Sequence, residues 1–216
     1  MAPTLYITPA SPPVRSVLMA AKTIGLNLDL QQVNLFKEEH KTPKFLKMNP
    51  QHSVPTLVDD DGFVLWDSHA IMAYLVSKYA TSDSLYPSDI KSRALVDQRL
   101  HFDSGVAFTT LTQILQPMIF QGKKNIDQKD VDSAREVYSF VETFLEGRQW
   151  IAGDSVTIAD FSFISSLTSF NVAVKIEECK YPKLAGYLKR AECLPGYEAN
   201  KEGLEAFIAI LKPLLK

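Results

Sequence analysis

A few short stretches carry polar groups at spacings that could do chemistry together. Asp67-Ser68 stands just before the apolar run Ala70-Ile71-Met72-Ala73-Tyr74-Leu75, the pattern of a helix start. A helix N-terminus with a hydroxyl suits a carboxylate, and a neighbouring Asp suits an ammonium, so the pair could hold an amino-acid head group. Upstream, Val54-Pro55 heads the β-branched run Thr56-Leu57-Val58. Proline offers a ladder no N–H, and only an X-Pro bond turns cis at low cost. A cis bond there would point the Val54 N–H and C=O outward, where an extended peptide could pair with them. Ser11 is another hydroxyl at a helix start. It precedes Pro12-Pro13 and then Val14, Val17, Leu18, Ala21 and Ile24 at helical spacing. A hydroxyl and a helix N-terminus both stabilise a nearby anion, and a thiolate is the reactive form of a thiol. Alone, Ser11 reads as a plain N-cap and the 54–71 stretch as a hairpin with a capped helix. The conjunction is what points to a binding site.

The elements that must position these groups read in order. Thr4–Ile7 is a short strand, 12–24 a helix closed by Gly25, and Leu28–Val33 a second strand, a βαβ unit whose strands should be parallel. A polar loop with His40 covers 35–42, and 43–48 makes one or two helical turns. Val54–Val58 and Phe63–Trp66 form a hairpin around Asp59-Asp60-Asp61-Gly62, and the helix after Asp67-Ser68 ends near Ala80. Residues 81–89 are a polar linker. Strand signals then stop. Residues 90–120 read as one long helix, kinked by Pro117, with Leu95, Leu100, Phe102, Val106, Leu111, Leu115 and Ile119 on one face. Further helices fit 128–146, 157–172, 181–193 and 198–211. In Thr157-Ile158-Ala159-Asp160-Phe161 the spacing predicts a capping box with Val156 and Phe161 as its hydrophobic staple. The fold class is therefore an α/β domain over 1–80, followed by an all-helical domain over 90–216.

Composition narrows the function classes. Across 216 residues the net charge is −2, with no basic footprint for nucleic acid. No apolar run is long enough to span a membrane, and prolines break the start, so neither a membrane partner nor a signal peptide is expected. Cys179 and Cys193 make no CxxC pair, which points to no metal or redox site and to a reducing, cytoplasmic setting.

The motifs taken in order, a Ser at the first helix in SPPVRSV, NPQHSVPTL, WDSHAI, the LYP linker and GDSVTIADF, resemble a cytosolic glutathione S-transferase. They resemble the insect epsilon class most, with delta as near neighbour. The resemblance covers the whole chain. It implies a thioredoxin-like N-terminal domain with a mixed four-stranded sheet, an all-helical C-terminal domain and a homodimer. It also implies glutathione as co-substrate, conjugated to hydrophobic electrophiles. Catalysis would fall on Ser11. Glutathione binding would fall on His40, His52, Val54, Pro55, Asp67, Ser68 and His69; many relatives have Glu where this chain has Asp67. His69 and His101 would also suit the dimer seam. The electrophile pocket would lie between the domains, lined by Leu35, Phe108, Leu111, Leu115, Phe120 and Phe207. A carrier of hydrophobic ligands or an assembly domain on the same fold is the alternative. A thiol-disulfide reductase would need a cysteine where Ser11 stands.

Overall fold

The computed structural model describes residues 2–215. Strand β1 (Thr4–Ile7) leads into helix α1 (Pro12–Thr23) and strand β2 (Asp29–Gln32). A 3-10 turn (Glu39–Lys41) and α2 (Pro43–Met48) come next. The hairpin β3 (Thr56–Val58) and β4 (Val64–Trp66) then feeds α3 (Ser68–Tyr79). The sheet order is β2-β1-β3-β4. β1 and β2 are parallel, as the βαβ reading requires, whereas β3 runs antiparallel to both β1 and β4. β3 is shorter than the 54–58 strand expected, because the ladder starts only after Pro55, which has no N–H to give it. Gly62, at φ 87, makes the reversal that β4 needs. The buried Asp59 ties the hairpin to α3: it accepts from Lys78 Nζ at 2.7 Å, Tyr79 Oη at 2.5 Å and Tyr74 Oη. Burial alone would raise its pKa, but these donors outweigh burial and hold the carboxyl below its usual range.

The second half is helical: α4 (Ile90–Phe102), α5 (Phe108–Gln121), α6 (Gln128–Phe144), α7 (Ile158–Ala173), α8 (Pro182–Ala191) and α9 (Tyr197–Leu211). The single helix expected over 90–120 is instead interrupted by a π-helical stretch, Asp103–Ala107. Two side chains occupy its backbone acceptors. Ser104 Oγ donates back to Leu100 O at 3.3 Å, and Thr109 Oγ1 reaches Ser104 O, five residues back, at 2.7 Å. The extra residue shifts the face, so Val106 is 38% exposed while Ala107 is buried. Pro117 does not end α5, which runs on to Gln121.

Helix α7 is the centre of the molecule. Every residue from Ile158 to Phe170 is buried. Its hydroxyls enter the core because they bond to carbonyls of their own helix: Ser165 to Ser162 O, Thr168 to Ile164 O and Ser169 to Ser165 O, at 2.7–2.9 Å. Helix α1 of the sheet region packs on α7, α3 and α9, which joins the two halves.

Candidate functional site

Two adjoining cavities of about 200 and 190 Å³ lie where the sheet region meets the helices. The first is polar. Val54, Pro55, Asp67 and Ser68 line it, with His69 and Asp103 at its inner end. The Val54-Pro55 bond is cis. Among the described residues nothing pairs with the Val54 N–H or C=O, so that backbone is free to bond a peptide lying in the cavity. Asp67 divides its carboxylate. Oδ1 accepts the His69 and Ala70 N–H groups at 2.9 and 3.2 Å and so caps α3. Oδ2 has no hydrogen-bond partner among the described residues.

The second cavity is apolar. Ser11 lines it together with Leu35, Phe108, Leu111, Leu115, Phe120 and Phe207, so all the expected pocket residues meet at one place. Phe108 lines both cavities. The Ser11 side chain caps nothing. Of the two N–H groups that an N-cap oxygen can take, Pro13 at N2 has none, and the bond to Val14 at N3 does not form. The hydroxyl is thus uncommitted and faces the apolar space. For the same reason α1 offers a weaker anion site than a helix start normally would, since Pro12 and Pro13 remove two of its free N–H groups.

His40 and His52 lie outside the residues lining the two cavities. They face each other with ring centroids 5.9 Å apart, beside Gln51 and Ser53, which do line the polar one. Burial, then Lys41 and His52, keeps the His40 imidazole below its ordinary pKa, and its Nδ1 is buried without a partner. Backbone strain concentrates here. Among the described residues, the non-glycine positions with positive φ are His52 (47°), Asp67 (74°) and Glu38 (56°), the last at the head of the turn that carries His40.

Comparison with known proteins gives these groups a context. Residues 10–78 match the family model for the glutathione S-transferase N-terminal domain, and residues 96–195 match that for the C-terminal domain. Glutathione S-transferase 1 of Manduca sexta is 46% identical over 200 residues, covering 92% of this chain and 91% of that protein. An epsilon-class glutathione S-transferase from the housefly, Musca domestica, superposes with a TM-score of 0.95 at 47% identity, covering 98% of each chain. The chain belongs to the glutathione S-transferase family. A Drosophila mojavensis glutathione transferase homologue, solved with glutathione bound, also superposes at a TM-score of 0.95, at 46% identity over 99% of this chain and 98% of that one.

Against that family frame the structure adds residues the motif reading missed. Asp103, in the π-helical stretch, is buried, and its Oδ1 has no partner while it borders the polar cavity. The Ser162 hydroxyl donates to Asp103 Oδ2 at 2.6 Å and lies 2.7 Å from His69 Nε2. His69 therefore turns into its own chain, 3.3 Å from Asp103, whereas His101 is exposed. Phe36 meets Phe120 across the mouth of the apolar cavity, centroids 5.7 Å apart. No sequence pattern marks Asp103 or Phe36. Arg15, also missed, lies fully buried behind Ser11.

Proposed function

We propose that this transferase binds glutathione in the polar cavity and joins its sulfur to hydrophobic electrophiles held in the apolar one. One observation carries the reading: the uncommitted Ser11 hydroxyl faces an apolar cavity that shares the Phe108 wall with a cavity of peptide-binding groups. Residues 1–80 supply the glutathione site, residues 90–216 supply most of the electrophile pocket, and 81–89 link them.

Each group has a defined task. Val54 N–H and C=O pair with the cysteinyl backbone. The helix start at Ser68 takes the γ-glutamyl carboxylate, and Asp67 Oδ2 takes its ammonium, with Asp103 Oδ1 close by as a second acceptor. His40 and His52 receive the glycyl carboxylate. Ser11 Oγ–H donates to the sulfur and favours the thiolate. The thiolate then attacks the electrophilic carbon, and the leaving group departs with its bonding pair.

Ionisation alone explains little of the rate. Lowering a thiol pKa from ~8.5 to ~6.5 raises the thiolate at pH 7 roughly 25-fold. Falling nucleophilicity returns about 6- to 10-fold of that gain. The remainder must come from holding the sulfur, at Ser11, against the electrophile in the apolar cavity in reacting geometry. The apolar lining favours apolar aromatic electrophiles and gives a carrier role nothing that the transferase role lacks.

Conjugation of glutathione to a chlorodinitrobenzene by the purified protein is the direct test, and absence of turnover in the presence of saturable glutathione binding would favour the carrier. We further propose a cytoplasmic homodimer. Among the described residues no helix is long and apolar enough to cross a membrane. Sedimentation as a 24.2 kDa species at micromolar concentration would contradict the dimer.

A further inference from the structure

Arg15 presents a physical problem. Its side chain is fully buried, yet among the described residues no carboxylate lies within ion-pair distance. Neutral oxygens hold it instead: Asn200 Oδ1 and Ser165 O at 2.9 Å, Thr168 Oγ1 at 3.4 Å, and Ser169 Oγ. Its Nε has no partner at all. A buried unpaired cation is costly, and the fold is built around this one. Gly203 on α9 is where the guanidinium stem passes: a Cβ there would sit 2.5 Å from Arg15 Cδ and from Pro9 O. Burial lowers the Arg15 pKa to about 9, so the group still carries its charge at neutral pH.

The position of this charge suggests its use. Arg15 is in the first turn of α1. Its Cζ lies 5.9 Å from the centre of the Phe207 ring, and Phe207 lines the same cavity as Ser11. Pro12 and Pro13 have stripped that helix start of two N–H donors, the usual source of positive potential there. We propose that Arg15 is a positioning residue for the reaction, supplying from behind Ser11 the positive field that stabilises the glutathione thiolate. The proposal rests on the glutathione reading given above.

The expected size follows from distance. Ser11 and Arg15 are separated by roughly 6 Å of helix rise, which puts the charge on the order of 10 Å from a sulfur beside Ser11. At an effective dielectric of about 20, a unit charge at that distance moves a thiol pKa by about one unit.

The decisive variant is Asn200→Asp. It is nearly isosteric and gives the guanidinium a carboxylate, which quenches the field without removing Arg15. The measurement is ultraviolet titration of the thiolate in the glutathione complex, with melting temperature and glutathione affinity at acid pH, where the thiol is neutral. The expected result is a bound-thiol pKa raised by roughly half to one unit in Asn200→Asp, an undiminished melting temperature and unchanged affinity at acid pH. Arg15→Gln should raise the thiol pKa similarly and Arg15→Lys should restore most of the shift, which keeps the test open if either pocket variant folds poorly. A purely structural Arg15 predicts that Asn200→Asp titrates like the parent, and that result overturns the proposal alone. A parent complex that shows no depressed thiol pKa overturns both the proposal and the Ser11 reading beneath it.

Discussion

The starts of α1 and α7 use similar residues to opposite ends. At α7 every polar group is spent on the protein. Asp160 is fully buried and accepts from Ile151 N, Thr157 N, Thr157 Oγ1 and Tyr187 Oη at 2.8–3.2 Å, and the capping box forms. At α1 the Ser11 hydroxyl has no protein partner, and prolines hold the N1 and N2 positions. The first start is closed to ligands and can only stabilise. The second leaves its hydroxyl free, as the proposed role toward the glutathione sulfur requires. Asp67 at α3 stands between them, with one oxygen bonded to the helix and the other proposed for the γ-glutamyl ammonium.

That contrast can be broken at several points. The largest effect belongs to Asp160→Ala, which leaves its buried donors without an acceptor and should cost about 3 kcal/mol or more in chemical denaturation. The parent carries a pH signature at the same residue. Burial raises the Asp160 pKa to about 6 from 3.8, against the pull of its donors. The native carboxyl therefore holds a proton that the unfolded chain has released, so this group's contribution falls as pH rises from about 4 to about 6. Asp160→Asn should remove that slope, and equal slopes in parent and variant would show that the carboxyl is ionised throughout.

Next comes Asp67→Asn, which retains an oxygen for the α3 cap but loses the anion. Loss of one charge-assisted bond to the γ-glutamyl ammonium should raise the KM for glutathione roughly 10- to 100-fold and spare kcat. An unaltered KM would remove Asp67 from the head-group site. Ser11→Ala should lower kcat by about tenfold, less than an oxyanion-hole donor costs, because sulfur spreads its charge. Its stability should stay within ~0.5 kcal/mol, since nothing in the protein uses the hydroxyl. A destabilised Ser11→Ala would put α1 in the same class as α7. The smallest change is Thr157→Ala, at about 0.5–2 kcal/mol in stability with unchanged kinetics. A loss of activity beyond the loss of folded protein would mean that the α7 start also serves the site.

The same distinction explains what was legible in the sequence. Local signals, whose partners lie a few residues away, could be read: the Val54-Pro55 hairpin entry, the Asp67-Ser68 helix start and the Thr157–Asp160 box. The family's order of motifs placed Leu35, Phe108, Leu111, Leu115, Phe120 and Phe207, and they share one cavity. What escaped depends on contacts far along the chain. Arg15 is held by residues on α7 and α9. Asp103 meets Ser162 and His69, and Phe36 meets Phe120. The break in the 90–120 helix was hidden because both flanking segments are helical and carry apolar residues, so each satisfies a 3.6 period on its own and the shift of face that the added residue makes between them is marked by no proline.

That added residue has a consequence for how such a pocket diverges. An α-helix turns about 100° per residue. Loss of one residue from Asp103–Ala107, Gly105 for example, would restore ordinary α-helical register and rotate the whole of α5 relative to α4. Leu111, Leu115 and Ile119 would leave the apolar cavity together, and Phe108 would leave the wall between the cavities. Asp67 and Val54, on separate elements, would stay where they are. A length change of one codon would therefore reshape the apolar cavity in a single step while leaving these groups of the polar one in place, a route that point substitutions along α5 would need several steps to match.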